Sequence, residues 1–192
     1  MIPAEFDYVR PESVDAAVAR TVGDPQVRHR GTLVGSLAHA DPASDLPAAA
    51  LALDATLVLL GPRGERRVPS TGFYTGVFSS VKDPDELLVE VRVPRTGAAG
   101  WAYEKFTRRA NDWAIVAVAV VDGRVGLVNM GPTPLRASAT EAALARGASI
   151  AEAAALADQD TDPPADLAGT KEYRRHLARV LTRRALTTAQ DR

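Results

Sequence analysis

The sequence predicts an α+β fold in two lobes, on three observations. Short β-branched runs face one another across Gly, Pro and Asp turns, as antiparallel strands do. Segments with helix-cap spacing crowd the C-terminal part. A proline–glycine stretch, Pro94 to Gly100, divides the chain near its middle. The first lobe, residues 1–96, is expected to hold a small mixed sheet with helices. The second, residues 97–192, is expected to hold a three-stranded antiparallel sheet backed by a helical bundle. With 192 residues and 46% hydrophobic content, the chain can bury one core, or two small ones that share an interface.

Each element follows from local chemistry. Phe6 to Arg10 reads as a strand closed by Pro11, and Ser13 as the N-cap of a helix that Gly23-Asp24-Pro25 breaks. Leu46 to Leu53 is alanine-rich and apolar, hence a helix packed on a sheet. Thr56 to Leu60 and Glu65 to Val68 form a hairpin around Gly61-Pro62-Arg63-Gly64. Glu86 to Val93 alternates Leu88, Glu90 and Arg92 against Leu87, Val89, Val91 and Val93, the pattern of a half-buried strand. Beyond the break, Trp101 to Phe106 and Trp113 to Val121 are strand-like, and Asp122-Gly123 is a two-residue hairpin turn into Arg124 to Met130. Trp101 and Tyr103 share a face as packing residues, and Trp113 is expected in the core. Ser138 with Glu141 and Ser149 with Glu152 have capping-box spacing, and Gly147 ends the first of those helices. Thr170 caps a last helix with Tyr173, Leu177, Val180 and Leu181 on one face.

Composition removes several function classes. A net charge of −1 gives a polyanion no global attraction, which argues against nucleic acid. Without cysteine the chain has no disulfide, thiolate metal site or iron–sulfur ligand of its own. No apolar run nears the roughly 20 residues of a membrane span, and the start lacks signal-peptide character, so a soluble cytoplasmic protein is expected. His29, His39 and His176 are scattered, which argues against a metal site. Ser36, His39 and Asp41 lie too close in sequence for a hydrolytic relay, and no G-x-S-x-G elbow exists. Arg108-Arg109 and Arg183-Arg184 read as solvated faces, with docking on acidic neighbours as the alternative.

One stretch carries more specific chemistry. Gly31 to Leu46, GTLVGSLAHADPASDL, reads as a strand-like start, a tight Gly-Ser turn, an irregular polar run and a helix start at Ser44-Asp45. Backbone amides at such a turn hold anions, and the carboxylate that follows accepts sugar hydroxyls. A nucleotide cofactor suits this arrangement.

The run GDPQVRHRGTLVGSLAHADPASDLPAAALALDATLVL resembles the second flavin-binding segment of the molybdenum hydroxylases, in their medium, FAD-binding subunit of the carbon monoxide dehydrogenase and xanthine dehydrogenase type. FDYVRPESVDAA, YEKFTRRANDWAIVAVAV, GPTPLRA and DLAGTKEYRRHLARVLTRRAL match the same subunit in order, so the resemblance covers nearly the whole chain. It implies a flavin domain of the p-cresol methylhydroxylase type followed by a sheet-and-helix domain. It also implies partners: a small iron–sulfur subunit that feeds the flavin, and a large molybdopterin subunit that does the hydroxylation. Thr32, Leu33, Val34, Gly35 and Ser36 fall on the pyrophosphate loop, Asp45 on the acid that contacts the cofactor's sugar, and Lys105 on a position near the ring system. No residue of this chain is implied to be catalytic.

Two departures from the family pattern matter. Val34 stands where the family carries a glycine; if that position needs positive φ, the branched side chain costs on the order of 1–2 kcal/mol. No Gly-Gly pair occurs among the 14 glycines, and the opening helix runs almost directly into Gly23-Asp24-Pro25, so most of the first flavin lobe is expected to be missing. Each lost charge-assisted hydrogen bond is worth roughly 1.5–3 kcal/mol, so three or four would weaken FAD binding by several orders of magnitude. The alternative to a working flavin subunit is a truncated, non-catalytic scaffold, or a degenerate paralogue, that no longer binds FAD by itself.

Overall fold

The computed structural model describes residues 25–192. The strand expected at Phe6 to Arg10 and the helix expected from Ser13 lie outside the described residues. The described chain runs through helices α1 (Pro25–Arg30), α2 (Leu33–His39) and α3 (Asp45–Ala52) into strands β1 (Thr56–Gly61) and β2 (Gly64–Pro69). A 3₁₀ turn, Ser70–Gly72, leads to β3 (Tyr74–Gly76), β4 (Ser79–Ser80) and β5 (Leu87–Arg92). The second half holds β6 (Trp101–Phe106), β7 (Val116–Val121), β8 (Arg124–Val128) and β9 (Leu135–Arg136). Helices α4 (Ser138–Ala145), α5 (Ile150–Ala154) and α6 (Lys171–Gln190) complete it. The α+β class holds.

Every described strand pair is antiparallel, so the mixed sheet expected for the first half is not seen among the described residues. There the sheet order is β2-β1-β5, with β3-β4 as a separate ribbon. In the second half the sheet has four strands, β6-β7-β8-β9, not the expected three. The extra edge forms because Leu135 and Arg136 pair with Leu127 and Gly126 after the chain turns through the Gly131-to-Pro134 segment. The β7–β8 turn has φ 51° at Asp122 and 74° at Gly123, the doubly positive geometry that Asp-Gly predicts.

Strand β7 explains how the layers stack. Its residues are all buried, and from Val116 to Val120 they alternate in size. Val116, Val118 and Val120 pack with Leu177, Ala178, Leu181 and Ala185 of α6. Ala117, Ala119 and Val121 face the opposite way, against Ala48, Ala49 and Ala52 of α3. Small side chains on both surfaces let helix and sheet approach closely. At Gly126 an added Cβ would stand 2.1 Å from the Ala48 carbonyl oxygen. On its other side α3 sends Ala50 into a cluster with Leu37, Leu57, Leu59, Phe73 and Leu88. Helix α3 is therefore one layer shared by both sheets, which is why only Leu46 of its eight residues escapes full burial.

Polar ties reinforce that seam. Arg136 donates to the Leu51 carbonyl at 3.0 Å and to Asp54 at 2.6 Å, and Arg124 donates to the Ala52 carbonyl at 2.9 Å. Cationic side chains on exposed C-terminal carbonyls of a helix also suit its dipole. Arg174 of α6 is 1% exposed; it donates to the Ile115 carbonyl and, through one nitrogen, to both oxygens of Asp166 at 2.7 Å.

Several local expectations change. Glu141 does not close a box with Ser138, because its carboxylate is taken by the Val125 amide and the Arg136 guanidinium. The Ser149–Glu152 box does form, Gly147 follows the first helix with φ 83°, and Thr170 caps Tyr173 N–H. On α6 the buried face is Arg174, Leu177, Ala178, Leu181, Thr182 and Ala185, so Tyr173 points out and is 42% exposed. Trp113 is 53% exposed instead of lying in the core, since the loop that carries it precedes the first paired residue of β7. A register shift beside Val58 and Leu59 puts Leu88 and Val91 of β5 in one cluster and leaves Leu87 and Val89 exposed, in place of a strict two-residue alternation.

Candidate functional site

The site begins with a helix where a strand and a turn were expected. Val34, Leu37 and Ala38 recur at helical spacing and pack into the β1 cluster. Thr32 supplies the cap: its backbone is extended, and its hydroxyl accepts the Gly35 amide at 3.0 Å. Gly35 and Ser36 therefore lie inside α2, not in a tight turn. Val34 is not among the described residues with positive φ, so the strain expected of it does not arise; its side chain turns to the core. Gly35 is constrained by space, since a Cβ there would stand 2.8 Å from the Thr32 hydroxyl. The amides that open a helix have no intrahelical acceptor, so Leu33 and Val34 sit where backbone donors point outward.

From α2 the polar groups lead to α3. The hydroxyls of Ser36 and Ser44 share a hydrogen bond of 2.9 Å. Ser44 is the residue before α3, and Asp45 opens the helix, where a carboxylate is favoured by the dipole. Asp45 is 1% exposed. Its carboxylate accepts from the Tyr103 hydroxyl at 2.5 Å and from the Lys105 ammonium at 2.7 Å. Tyr103 and Lys105 stand two residues apart on β6, so the pleat aims both at α3.

The electrostatics are those of a buried charge pair. Burial raises the pKa of Asp45 above its ordinary value, while the Lys105 charge and hydrogen bonds from Lys105 and Tyr103 act against it. Burial and the facing carboxylate push the Tyr103 phenol well up, so it stays a donor. A carboxylate offers about four acceptor positions, and these two donors take two.

Hydrogen bonds thus join Thr32 with Gly35, Ser36 with Ser44, and Asp45 with Tyr103 and Lys105, and the chain step from Ser44 to Asp45 brings the last two groups together. Leu33 contributes only backbone there, with a side chain 47% exposed. Tyr103 was read from sequence as packing alone. The signal for its role was available, since a residue two positions from Lys105 in a strand must share its face. A cavity of about 320 Å³ is lined by residues of the α2–α3 connection, Asp41 and Ala43, together with Trp113 and Arg174, and by none of the cluster's own side chains.

Comparison with known proteins bears on this cluster. Residues 8–96 match the model of the FAD binding domain in molybdopterin dehydrogenase, and residues 101–189 match that of the CO dehydrogenase flavoprotein C-terminal domain. The carbon monoxide dehydrogenase medium chain of Hydrogenophaga pseudoflava is 39% identical over 92% of this chain and 67% of its own length. The glyceraldehyde dehydrogenase medium chain of Sulfolobus acidocaldarius is 32% identical over 86% of this chain and 64% of its own. Among solved structures, carbon monoxide dehydrogenase from Hydrogenophaga pseudoflava superposes with a TM-score of 0.86 at 42% identity, covering 92% of this chain and 66% of that one. Quinoline 2-oxidoreductase from Pseudomonas putida 86 superposes at 0.82 with 30% identity and the same coverage. The chain spans about two thirds of the length of these relatives. It belongs to the family of FAD-binding medium chains of molybdenum hydroxylases, the carbon monoxide dehydrogenase type among them, and FAD is the cofactor of that family.

Proposed function

We propose that this chain is a flavin-binding electron-transfer subunit, shortened in its first flavin lobe, that works within an assembly of the molybdenum hydroxylase kind. The observation that carries the reading is the convergence of Asp45 and Lys105, 60 residues apart in sequence, beside the first turn of α2. The donor set fits the cofactor's chemistry. The backbone donors of Leu33 and Val34, kept open by Gly35, suit a pyrophosphate. Asp45 retains acceptor positions for sugar hydroxyls. Lys105 supplies a cation where negative charge develops on a flavin ring. When bound, the flavin supplies the chemistry of accepting and releasing electrons.

On this reading residues 1–96 are the partial flavin domain and residues 97–192 the C-terminal domain of the subunit. The partners are a small iron–sulfur subunit and a large molybdopterin subunit, which between them supply the electrons. With about a third of the relatives' length lacking, hold on the cofactor is weaker in the chain alone than in the assembly. Co-expression with those two subunits, followed by visible absorbance and acid extraction of the flavin, tests the reading. The expected result is FAD in the assembly and little in the chain alone. An assembly that carries its iron–sulfur and molybdenum centres but no flavin overturns it in favour of a docking scaffold.

A further inference from the structure

Helix α6 is rich in cations, and the segment before it answers most of them in turn. Lys171 pairs with Asp162, Arg174 with Asp166 at 2.7 Å and Arg179 with Asp158 at 3.1 Å, while Arg175 donates to the Thr161 carbonyl at 2.9 Å. The supply of acceptors ends there. Arg183 and Arg184 are exposed, and their guanidinium groups have no hydrogen-bond or ion-pair partner among the described residues.

These cations border a groove of about 300 Å³ between α5 and α6. Its wall on α6 is His176, Arg179, Val180 and Arg183; the opposite wall is Ala151 and Ala154 of α5 with Ala155 at its end. From His176 to Arg183 the basic groups recur turn by turn over about 10 Å. The alanines of the opposite wall let another backbone come close. The face of α6 that carries Leu177, Ala178, Leu181 and Ala185 packs on β7, so the groove opens away from the sheet. Helix α3, with Asp45, lies across that sheet, which sets the groove apart from the cofactor cluster. A trough between two helices, floored with small side chains and edged with cations at helical spacing, suits a third helix that carries carboxylates on one face.

We propose that this groove docks an acidic amphipathic helix of a partner protein. The helix lies along Ala151 and Ala155, and its carboxylates, two turns apart, sit on Arg183 and His176, either side of the Arg179–Asp158 pair. Charge complementarity selects this occupant, because the fold's own carboxylates are spent on Lys171, Arg174 and Arg179 and leave Arg183 unanswered. The proposal stands apart from the flavin reading, since no residue of the cofactor cluster takes part.

The test is fluorescence anisotropy with the whole chain and a labelled synthetic helix as the probe, its glutamates two turns apart on one face with alanine and leucine between them. The wild-type chain is expected to bind it. Arg183→Glu should weaken binding at least about ten-fold at low salt, and that loss should shrink as salt screens the rim. Ala155→Gln fills the floor without a charge and should weaken binding about five-fold or more at every salt concentration. Arg67→Glu, the same charge change on β2, should leave binding as it was. Near-wild-type Tm in the free variants separates docking from folding, and Arg183→Gln replaces the reversal if its Tm falls. No binding of the helix to the wild-type chain overturns the proposal, as does unchanged affinity in both groove variants. Equal binding of a peptide of the same charge broken by two prolines reduces the effect to general attraction and overturns the helix. Tighter binding of tripolyphosphate, or of phosphatidylglycerol vesicles, that Arg183→Glu abolishes and Ala155→Gln leaves intact assigns the cations to phosphate and overturns it too.

Discussion

Asp45 and Lys105 are held to one another as much as they are offered to a ligand. Lys105 has a side chain only 7% exposed, so it needs the carboxylate. Removing one member of a buried pair leaves the other's charge uncompensated, which costs about 3–5 kcal/mol, whereas removing both together costs far less. Asp45→Asn should therefore lower unfolding free energy in urea by about 3 kcal/mol. Combining it with Lys105→Met should recover most of that loss. A double variant as unstable as the sum of the two single ones would show that the residues act independently. Flavin content separates the structural role from the binding role. The double variant, refolded to near-wild-type stability, is expected to hold less FAD in the assembly, because the carboxylate acceptor and the cation have both gone.

At the level of elements, Glu86 fastens the hairpin β1–β2 to the loop before β5. It accepts from Arg66 through both oxygens at 2.7 Å and from the Asp83 amide at 2.8 Å. The Arg66 hydrogen bonds first, and then the Asp83 amide, hold its carboxyl down at about 2, below the ordinary 4.5. A carboxyl lower in the folded state than in the unfolded one adds stability above the unfolded value, and that stability is lost as pH falls. The contribution of Glu86 should be complete above roughly pH 5 and fade between about 4.5 and 2. Urea midpoints measured across that window should fall less steeply in Glu86→Gln than in wild type; equal slopes would remove Glu86 from the account. The α3 seam offers a second check. Gly126→Ala places a methyl against the Ala48 carbonyl, and overpacking of this kind costs about 1–3 kcal/mol. Gly72→Ala, with nothing within 4 Å, should stay within about 0.5 kcal/mol of wild type. Elements whose pattern is purely local were readable beforehand, among them the β7–β8 hairpin and the Ser149 box. Helix α2 was not, because a glycine suggested a turn while Val34, Leu37 and Ala38 already had helical spacing. The outward faces of Trp113 and Tyr173 depend on which layer packs against them, and no local pattern contains that. Asp45 and Lys105 were each identifiable from sequence, but their direct bond arises only when α3 is laid against β6.

For the whole molecule, the shared helix sets the cooperativity. If α3 served one sheet, the two halves of the chain would have separate cores and could melt separately. Instead Ala48, Ala49 and Ala52 complete the packing of β7, while Ala50 completes that of β1. Arg136 and Arg124 bind the C-terminal end of the same helix. Unfolding of the first half would thus strip the apolar face of Ala117, Ala119 and Val121 and leave the Arg136 guanidinium without two of its acceptors, Leu51 and Asp54. Loss of these contacts should carry the second half with it. Calorimetry of the intact chain is accordingly expected to give one transition with matching calorimetric and van't Hoff enthalpies. A fragment of residues 97–192 should bind a hydrophobic dye and lack a sharp transition, since its sheet keeps α6 on one face and has no cover on the other. Two resolved transitions, or a fragment that melts cooperatively at the temperature of the whole chain, would mean that α3 only rests on the second sheet and does not complete it.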